Sequence, residues 1–395
     1  MSRSSAHAAP GNGPFGRIRS WASSGWSKRK IALVGGSAVV IIGAASTGIV
    51  LASSGGSQAA VHPGASSTTT APAASTSGAK TKTTTRPPPV DPHLCPLTGL
   101  RAPDGKDPDR PALAVKVGND PAARPQSGLQ DADIVFDTLA EGGIVRYIAV
   151  FQCHSSSDIG PIRSVRYDDW HVLQQFGHVD LAFVHGIDPD VNTVASLPWI
   201  CDLDEFTHSN AYFSPPYRVA PEDTYTSTAA LYSSCRDTGP PPALFTYSTA
   251  MPPGAGPLAG AQIVYNPDES DIVWRWSAAK QAWLHFYNDE GSLQPDIDDQ
   301  GVQLRATNVV IEVVNITYGS QPETPGSTGD VQAQTTGRGT AYIMRGGKVI
   351  PCKWVRPALA DITHYVNAKG SRSSLQPGTT WVELVPTWAP ISWTP

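Results

Sequence analysis

Arg124, Arg146, Arg163 and Arg166 lie close together along the chain, among turn-forming residues and strand-like runs. A guanidinium stays charged and presents five donors in a rigid fork, so each needs an acidic partner, a carbonyl, solvent or an anionic ligand. Two readings follow. Asp131, Asp133, Asp137, Glu141 and Asp168 could neutralise the arginines as structural bridges. Alternatively the arginines, together with Gln126 and Ser127, form a surface at strand ends that contacts an anion or a sugar. Glu141 precedes Gly142 and Gly143, and it could serve as a general acid if burial raised its pKa. Glycoside hydrolysis uses two carboxylates. Asp133, Asp168 and Asp169 are candidates for the second, and Asp133 is taken with Glu141 as the catalytic pair.

Other constellations are weaker. Asp168, Asp169 and His171, with His185, match no ligand spacing, and the run Asp296-Ile297-Asp298-Asp299 lacks the pattern of a calcium loop. The five cysteines, Cys95, Cys153, Cys201, Cys235 and Cys352, contain no C-x-x-C pair, which argues against a structural zinc. No nucleophile elbow, phosphate-binding loop or dinucleotide fingerprint occurs, so no metal and no cofactor is expected. Trp274, Trp276 and Trp283 could stack on sugars, although a sheet core is the commoner reason for such residues.

The elements that position these side chains alternate between strands and short helices. Apolar β-branched runs at 112–117, 134–136, 145–151 and 180–184 read as strands, and 167–176 and 190–197 have helical spacing. Gly142 and Gly143 permit a tight reversal, so the strands on either side should form a hairpin with Glu141 and Arg146 near its turn. A bend or helix start between Arg163 and Arg166 would then let both of their guanidinium groups converge on the Glu141 region, making the arginines and Glu141 one site. Beyond Gln262 the texture changes. The segments 271–276, 283–287, 308–314, 339–344, 348–355 and 380–385 are strand-like, 363–370 is a short strand and turn, and Gly346-Gly347 suits a hairpin. The expected fold class is α+β: a mixed α/β N-terminal unit, residues 94–257, then an antiparallel β-rich C-terminal unit, residues 258–395. With 36 Gly, 36 Pro and only 16% charged residues, a helix-dominated architecture does not fit.

Nine of the 29 Lys and Arg lie before Asp91, and none of the 34 Asp and Glu does. The remainder is therefore strongly acidic, which argues against nucleic acid as a partner. Residues 31–52 carry no charge and are long enough for a transmembrane helix, which takes about 20 residues. Lys28, Arg29 and Lys30 abut the start, and the next basic residue is Lys80. That asymmetry puts residues 1–30 in the cytoplasm and everything after the anchor outside. A signal peptide cleaved after Ala52 is the rival reading. Residues 53–93, rich in Ser, Thr and Pro, have almost nothing to bury and are expected to be a disordered spacer. In an oxidising compartment one or two disulfides are expected, and an odd count leaves at least one cysteine out.

Several motifs in fixed order resemble one family. They are Cys95-Pro96-Leu97-Thr98-Gly99, Ala123-Arg124-Pro125-Gln126-Ser127-Gly128, Glu141-Gly142-Gly143 with Arg146, and Gly160-Pro161 with Arg163 and Arg166. Further along come Tyr225-Thr226-Ser227-Thr228, Gly337-Arg338-Gly339, Gly347-Lys348-Val349-Ile350 and the run from Leu375 to Trp381. Together they resemble the YerB-like bacterial envelope proteins, the domain-of-unknown-function family numbered 3048, over nearly all of the folded part. The resemblance implies no particular activity. One departure stands out. Members often carry A-P-H-N before the Y-T-S-T block, whereas this chain has Ala220-Pro221-Glu222-Asp223, so a role resting on that His-Asn pair does not carry over. The functional expectation is a membrane-anchored extracytoplasmic protein acting on envelope glycan. The alternative is a non-catalytic protein that binds an envelope glycan or an envelope protein through its arginines.

Overall fold

The computed structural model describes residues 93–395, apart from 104, 107, 237, 290 and 323–328. The expected cytoplasmic segment, the membrane anchor and all but the last residue of the spacer lie outside the described residues. Among the described residues no helix is long and apolar enough to cross a membrane.

The first half supplies five strands to the main sheet: β1 (Ala112–Val117), β2 (Ile134–Leu139), β3 (Val145–Phe151), β4 (Val179–Phe183) and β5 (Ile200–Asp204). It also supplies the helices α1 (Tyr167–Leu173), α2 (Asp188–Ser196) and α3 (Thr228–Tyr232). As expected, β2 and β3 pair antiparallel around the glycine turn, Leu139 opposite Val145. Gly142 and Gly143 both hold positive φ, 73° and 79°, a region that side chains with a Cβ avoid. The second half begins with β6 (Gly260–Asn266), β7 (Ser270–Ser277), β8 (Ala282–Asp289) and β9 (Ser292–Pro295). It continues with β10 (Asn308–Val314), β11 (Gly337–Arg345), β12 (Lys348–Arg356), β13 (His364–Val366), β14 (Thr380–Pro386) and β15 (Ile391–Thr394).

Strands of both halves form one eleven-stranded sheet. Its order is β13-β12-β11-β10-β14-β2-β3-β1-β4-β5, with the short strand 256–257 added against β12. The expected antiparallel C-terminal unit is thus corrected to a mixed one. β14 runs parallel to both β10 and β2. Its sequence TWVELVP is buried along its whole length. Such a strand, covered on both faces, belongs in the middle of a sheet and suits parallel neighbours. Strands β9-β8-β7-β6-β15, with a short strand at 305–306, make a separate six-stranded antiparallel sheet.

Successive side chains of a strand point to opposite faces, and the main sheet uses both. Leu113, Val115, Tyr147 and Trp381 pack against Ile263, Trp274 and Trp283 of the six-stranded sheet. Ala112, Ala114, Ile148 and Val150 pack under Trp170, Leu173 and Val194 of the helices. The result is three layers, with apolar cores above and below the central sheet. Trp274 and Trp283 are fully buried in the inter-sheet core, so they stack on the core and not on a ligand. Two disulfides join Cys95 to Cys153 and Cys201 to Cys235, and Cys352 is a buried free thiol.

Candidate functional site

The glycine turn puts Glu141 at one end of the main sheet. Lys116 of β1, Thr138 of β2 and Arg146 of β3 share a face there, because they continue the alternation of Ala112 and Ala114, of Ile134 and Phe136, and of Ile148 and Val150. Arg166 arrives on the same face as the residue that precedes α1. Its backbone N–H donates to Asp169 Oδ2 at 2.9 Å, which fixes the helix start. The Arg166 guanidinium then grips Glu141 with two bonds, Nε to Oε1 at 2.9 Å and Nη2 to Oε2 at 3.1 Å. Arg146 Nη2 lies 3.9 Å from Glu141 Oε2. Beneath them Lys116, fully buried, donates to Asp169 Oδ1 at 2.5 Å and to Thr138 Oγ1 at 3.0 Å. Three cations thus meet two carboxylates.

Charge and burial set the state of each group. Burial opposes ionisation of Glu141, but the hydrogen bonds and charge of Arg166, helped by the charge of Arg146, hold its carboxyl below the usual range. Burial, and then the neighbouring Arg166 charge, bring Arg146 down to about 10. Burial also lowers Lys116, against the pull of Asp169. Glu141 is therefore a carboxylate at neutral pH and has no proton to give. The condition set for a general-acid role, a pKa raised by burial, is not met at this carboxyl. Arg146 Nε and Nη1 are buried and have no hydrogen-bond partner among the described residues.

The other arginines lie beside this cluster and take different partners. Arg163 forms ion pairs with Asp120 at 3.2 Å and Glu222 at 3.3 Å. Gly118 makes room for it, since a Cβ there would stand 2.7 Å from Arg163 Cγ. Glu222 belongs to the Ala220-Pro221-Glu222-Asp223 departure, so this chain places a carboxylate on Arg163 where members often carry histidine. Arg124 lies over the Tyr287 ring at 3.6 Å and donates to Asn119 Oδ1, Asn119 O and Glu269 O. Gln126 Nε2 donates to Gly118 O and Asn119 Oδ1. Arg124 and Gln126 thereby fasten the loop that carries Asp120. Ser127 is buried, its backbone bonded to Gly160. Of the two arginines expected to converge on the Glu141 region, Arg166 does so and joins Arg146 there, whereas Arg163 does not. The helix start falls just after Arg166, so Arg163 is left on the preceding extended segment and turns to Asp120 instead.

Asp133 does not join this group. It precedes β2, whereas Glu141 follows β2, and a six-residue strand spans about 20 Å at 3.3 Å per residue. Paired catalytic carboxylates sit about 5–9.5 Å apart, so Glu141 and Asp133 cannot act on one bond. Asp133 instead accepts the backbone N–H of Cys153 at 2.9 Å and meets His154 Nδ1 at 2.5 Å. That bond raises the His154 pKa against the effect of burial. Asp168 accepts from Ala333 N at 2.7 Å, and His171 Nδ1 meets Tyr167 O at 2.7 Å, so neither faces a shared ligand. The five acids offered as structural partners reduce to Glu141: Asp131 accepts from Ser156 and Asp137 from Trp381. Lys116, Asp120 and Glu222 were not foreseen. The usable signal for Lys116 was a lone lysine inside the apolar run ALAVKV, since a lysine buried in a strand needs a paired carboxylate.

Family models match residues 97–240, "Protein of unknown function (DUF3048) N-terminal domain", and residues 261–382, the corresponding C-terminal domain. The chain belongs to the DUF3048 family. A family relative from Bacillus subtilis (strain 168), named "Putative lipoprotein YerB", is 28% identical over 304 residues, covering 74% of this chain and 86% of the relative. The crystal structure of Bacillus subtilis YerB matches with a TM-score of 0.62 at 22% identity, over 76% of this chain and 99% of that one. It shows that the two share a fold.

Proposed function

We propose that this family member is held at the outer face of the cell membrane and binds an anionic group of an envelope glycan without cleaving it. The carrying observation is Arg146, whose buried Nε and Nη1 donors lack partners among the described residues while its side chain is 11% exposed. A buried guanidinium with unused donors favours an anionic partner, and an edge of this side chain reaches the surface. Arg166 stands beside it with its own fork held by Glu141 and the Val165 carbonyl, so the Arg146 fork is the one offered to a phosphate or carboxylate. Support for the location comes from the uncharged stretch 31–52 behind Lys28, Arg29 and Lys30, and from the name of the Bacillus relative. The hydrolase reading is set aside because Glu141 is an ion-paired carboxylate and Asp133 lies a strand length away.

The test uses the full chain in detergent micelles, incubated with isolated wall polysaccharide. Binding should weaken with salt, and Arg146→Gln should weaken it by about tenfold or more, the loss of a charge-assisted hydrogen bond of about 1.5–3 kcal/mol. Thermal melting of the variant separates lost binding from lost folding. Binding that ignores Arg146→Gln sinks the proposal. Release of soluble fragments that Glu141→Gln abolishes would restore the hydrolase reading.

A further inference from the structure

Asp137 on β2 and Glu383 on β14 are neighbours on adjacent parallel strands. Both point into the core between the two sheets and are fully buried. From the opposite sheet His285 of β8 reaches them, also fully buried. One ring nitrogen of His285 and one carboxylate oxygen each from Asp137 and Glu383 lie within 4.8 Å of one another. The walls are aromatic. The His285 ring stacks on Trp381 at 5.2 Å and meets Trp274 edge-on at 4.6 Å.

This is an unusual place for negative charge. Asp296, 2% exposed, adds a third carboxylate beside His285. Among the described residues no Lys or Arg forms an ion pair with Asp137, Glu383 or Asp296. Buried carboxylates are tolerated when they are paired or coordinate a metal, so a counter-charge is called for here.

The hydrogen bonds show where it would sit. His285 Nδ1 lies 2.8 Å from Asp296 Oδ2. That contact places a ring proton on Nδ1, and in the neutral ring Nε2 then keeps a lone pair. Among the described residues Nε2 has no hydrogen-bond partner, and Asp137 Oδ2 has no donor, only the neighbouring Glu383 carboxylate beside Asp137. The remaining contacts to the carboxylates come from an outer ring of donors. Trp381 Nε1 donates to Asp137 Oδ1. Trp274 Nε1 and Tyr265 Oη donate to the two oxygens of Glu383, at 2.7 and 2.9 Å. Each carboxylate is thereby oriented and keeps lone pairs for a cation. A carboxylate behind an imidazole is also the arrangement that orients metal-ligating histidines.

We propose that Asp137, His285 and Glu383 bind one divalent transition-metal ion between the two sheets. One imidazole nitrogen and two carboxylate oxygens suit zinc or manganese. With ligands from β2, β14 and β8, the ion would tie the first half, the end of the second half and the outer sheet together. The sealed surroundings give it a structural part, distinct from the arginine cluster at the sheet end.

The test uses the full chain in detergent with its disulfides intact. The chain is unfolded in guanidinium with a chelator, then refolded without metal or with zinc, manganese or cobalt. One ion should be retained per chain after gel filtration, and the metal-loaded form should melt several degrees above the metal-free form. Cobalt should give visible absorption bands of a bound site. His285→Gln should abolish retention and the bands. Because that variant could misfold, the wild-type retention and melting decide alone. Wild-type chain that refolds without metal to the same melting temperature and retains no ion overturns the proposal, and a shared proton is then the counter-charge. Retention that His285→Gln leaves intact in a folded variant overturns it equally, since the ion then sits elsewhere.

Discussion

At the residue scale, partners decide what each polar group does. Glu141 invites an acid role on sequence alone, yet Arg166 holds it with two bonds and keeps it ionised. Lys116 shows the same logic in the opposite setting. It is wholly buried on Asp169, and removing one partner of a buried pair leaves an uncompensated charge. Asp169→Ala should therefore cost about 3–5 kcal/mol in urea unfolding. A cost near zero would mean that Lys116 sheds its proton or finds water. His154 gives a pH prediction. Its hydrogen bond to Asp133 raises its folded pKa above the unfolded value of about 6.5. The stabilisation is then fully present below pH of about 6.5 and fades as pH rises through the raised folded value. An NMR titration should place the His154 midpoint above that of a model histidine, and Asp133→Asn should lower it. A His154 midpoint that Asp133→Asn leaves unmoved would contradict the assignment.

At the element scale, the β2–β3 hairpin carries the site, and its turn has little slack. Gly142 and Gly143 both hold positive φ. A Cβ on Gly142 would meet nothing within 4 Å, whereas one on Gly143 would stand 2.9 Å from Asn266 Cβ. Gly142→Ala should cost about 1 kcal/mol from backbone strain alone. Gly143→Ala should cost more, because the turn must also move away from β6. Calorimetric melting of the two variants checks the order, and equal losses would show that the Asn266 contact yields freely. Gly143→Ala should also weaken binding at Arg146 more than Gly142→Ala does, since it displaces the end of β3. The glycines, the strand pattern and the turn were all legible from Gly142-Gly143 between two apolar runs. The strand Ile200–Asp204 was not. Its sequence ICDLD is poor in β-formers, and it forms because β4 offers it a parallel edge.

At the scale of the whole molecule, the two halves share one sheet and two cores, and the disulfides brace the first half. They span 58 and 34 residues of sequence. Chain-entropy arguments give each about 4 kcal/mol. Reduction should therefore lower the melting temperature sharply, and a reductant-insensitive melt would show that the bridges are absent or dispensable. Cys352 offers a check on pairing. Burial, and then the charge of Glu312, push its thiol up to about 12, so it should stay inert to thiol reagents in the native protein. Denaturation without reductant should expose this one thiol per chain, and more than one would contradict the pairing of the other four.

The sequence by itself determined the β-rich character, most strand positions, the glycine turn, the family and the neighbourhood of the arginines. Those features are local: alternation, turn residues and motif order are written in consecutive positions. The tertiary structure decided what spans the chain. Only it made β14 the parallel neighbour of β2, since which distant strands pair is not written in either strand's own residues. That pairing sets Glu383 beside Asp137 across most of the chain, and the outer sheet brings His285 to both. It also split the arginines, giving Arg166 and Arg146 to Glu141, Arg163 to Asp120 and Glu222, and Arg124 to the face of Tyr287. Spacing along a chain limits which side chains can share a face, but the choice among charged partners depends on three-dimensional distance and burial, which adjacency in sequence does not encode.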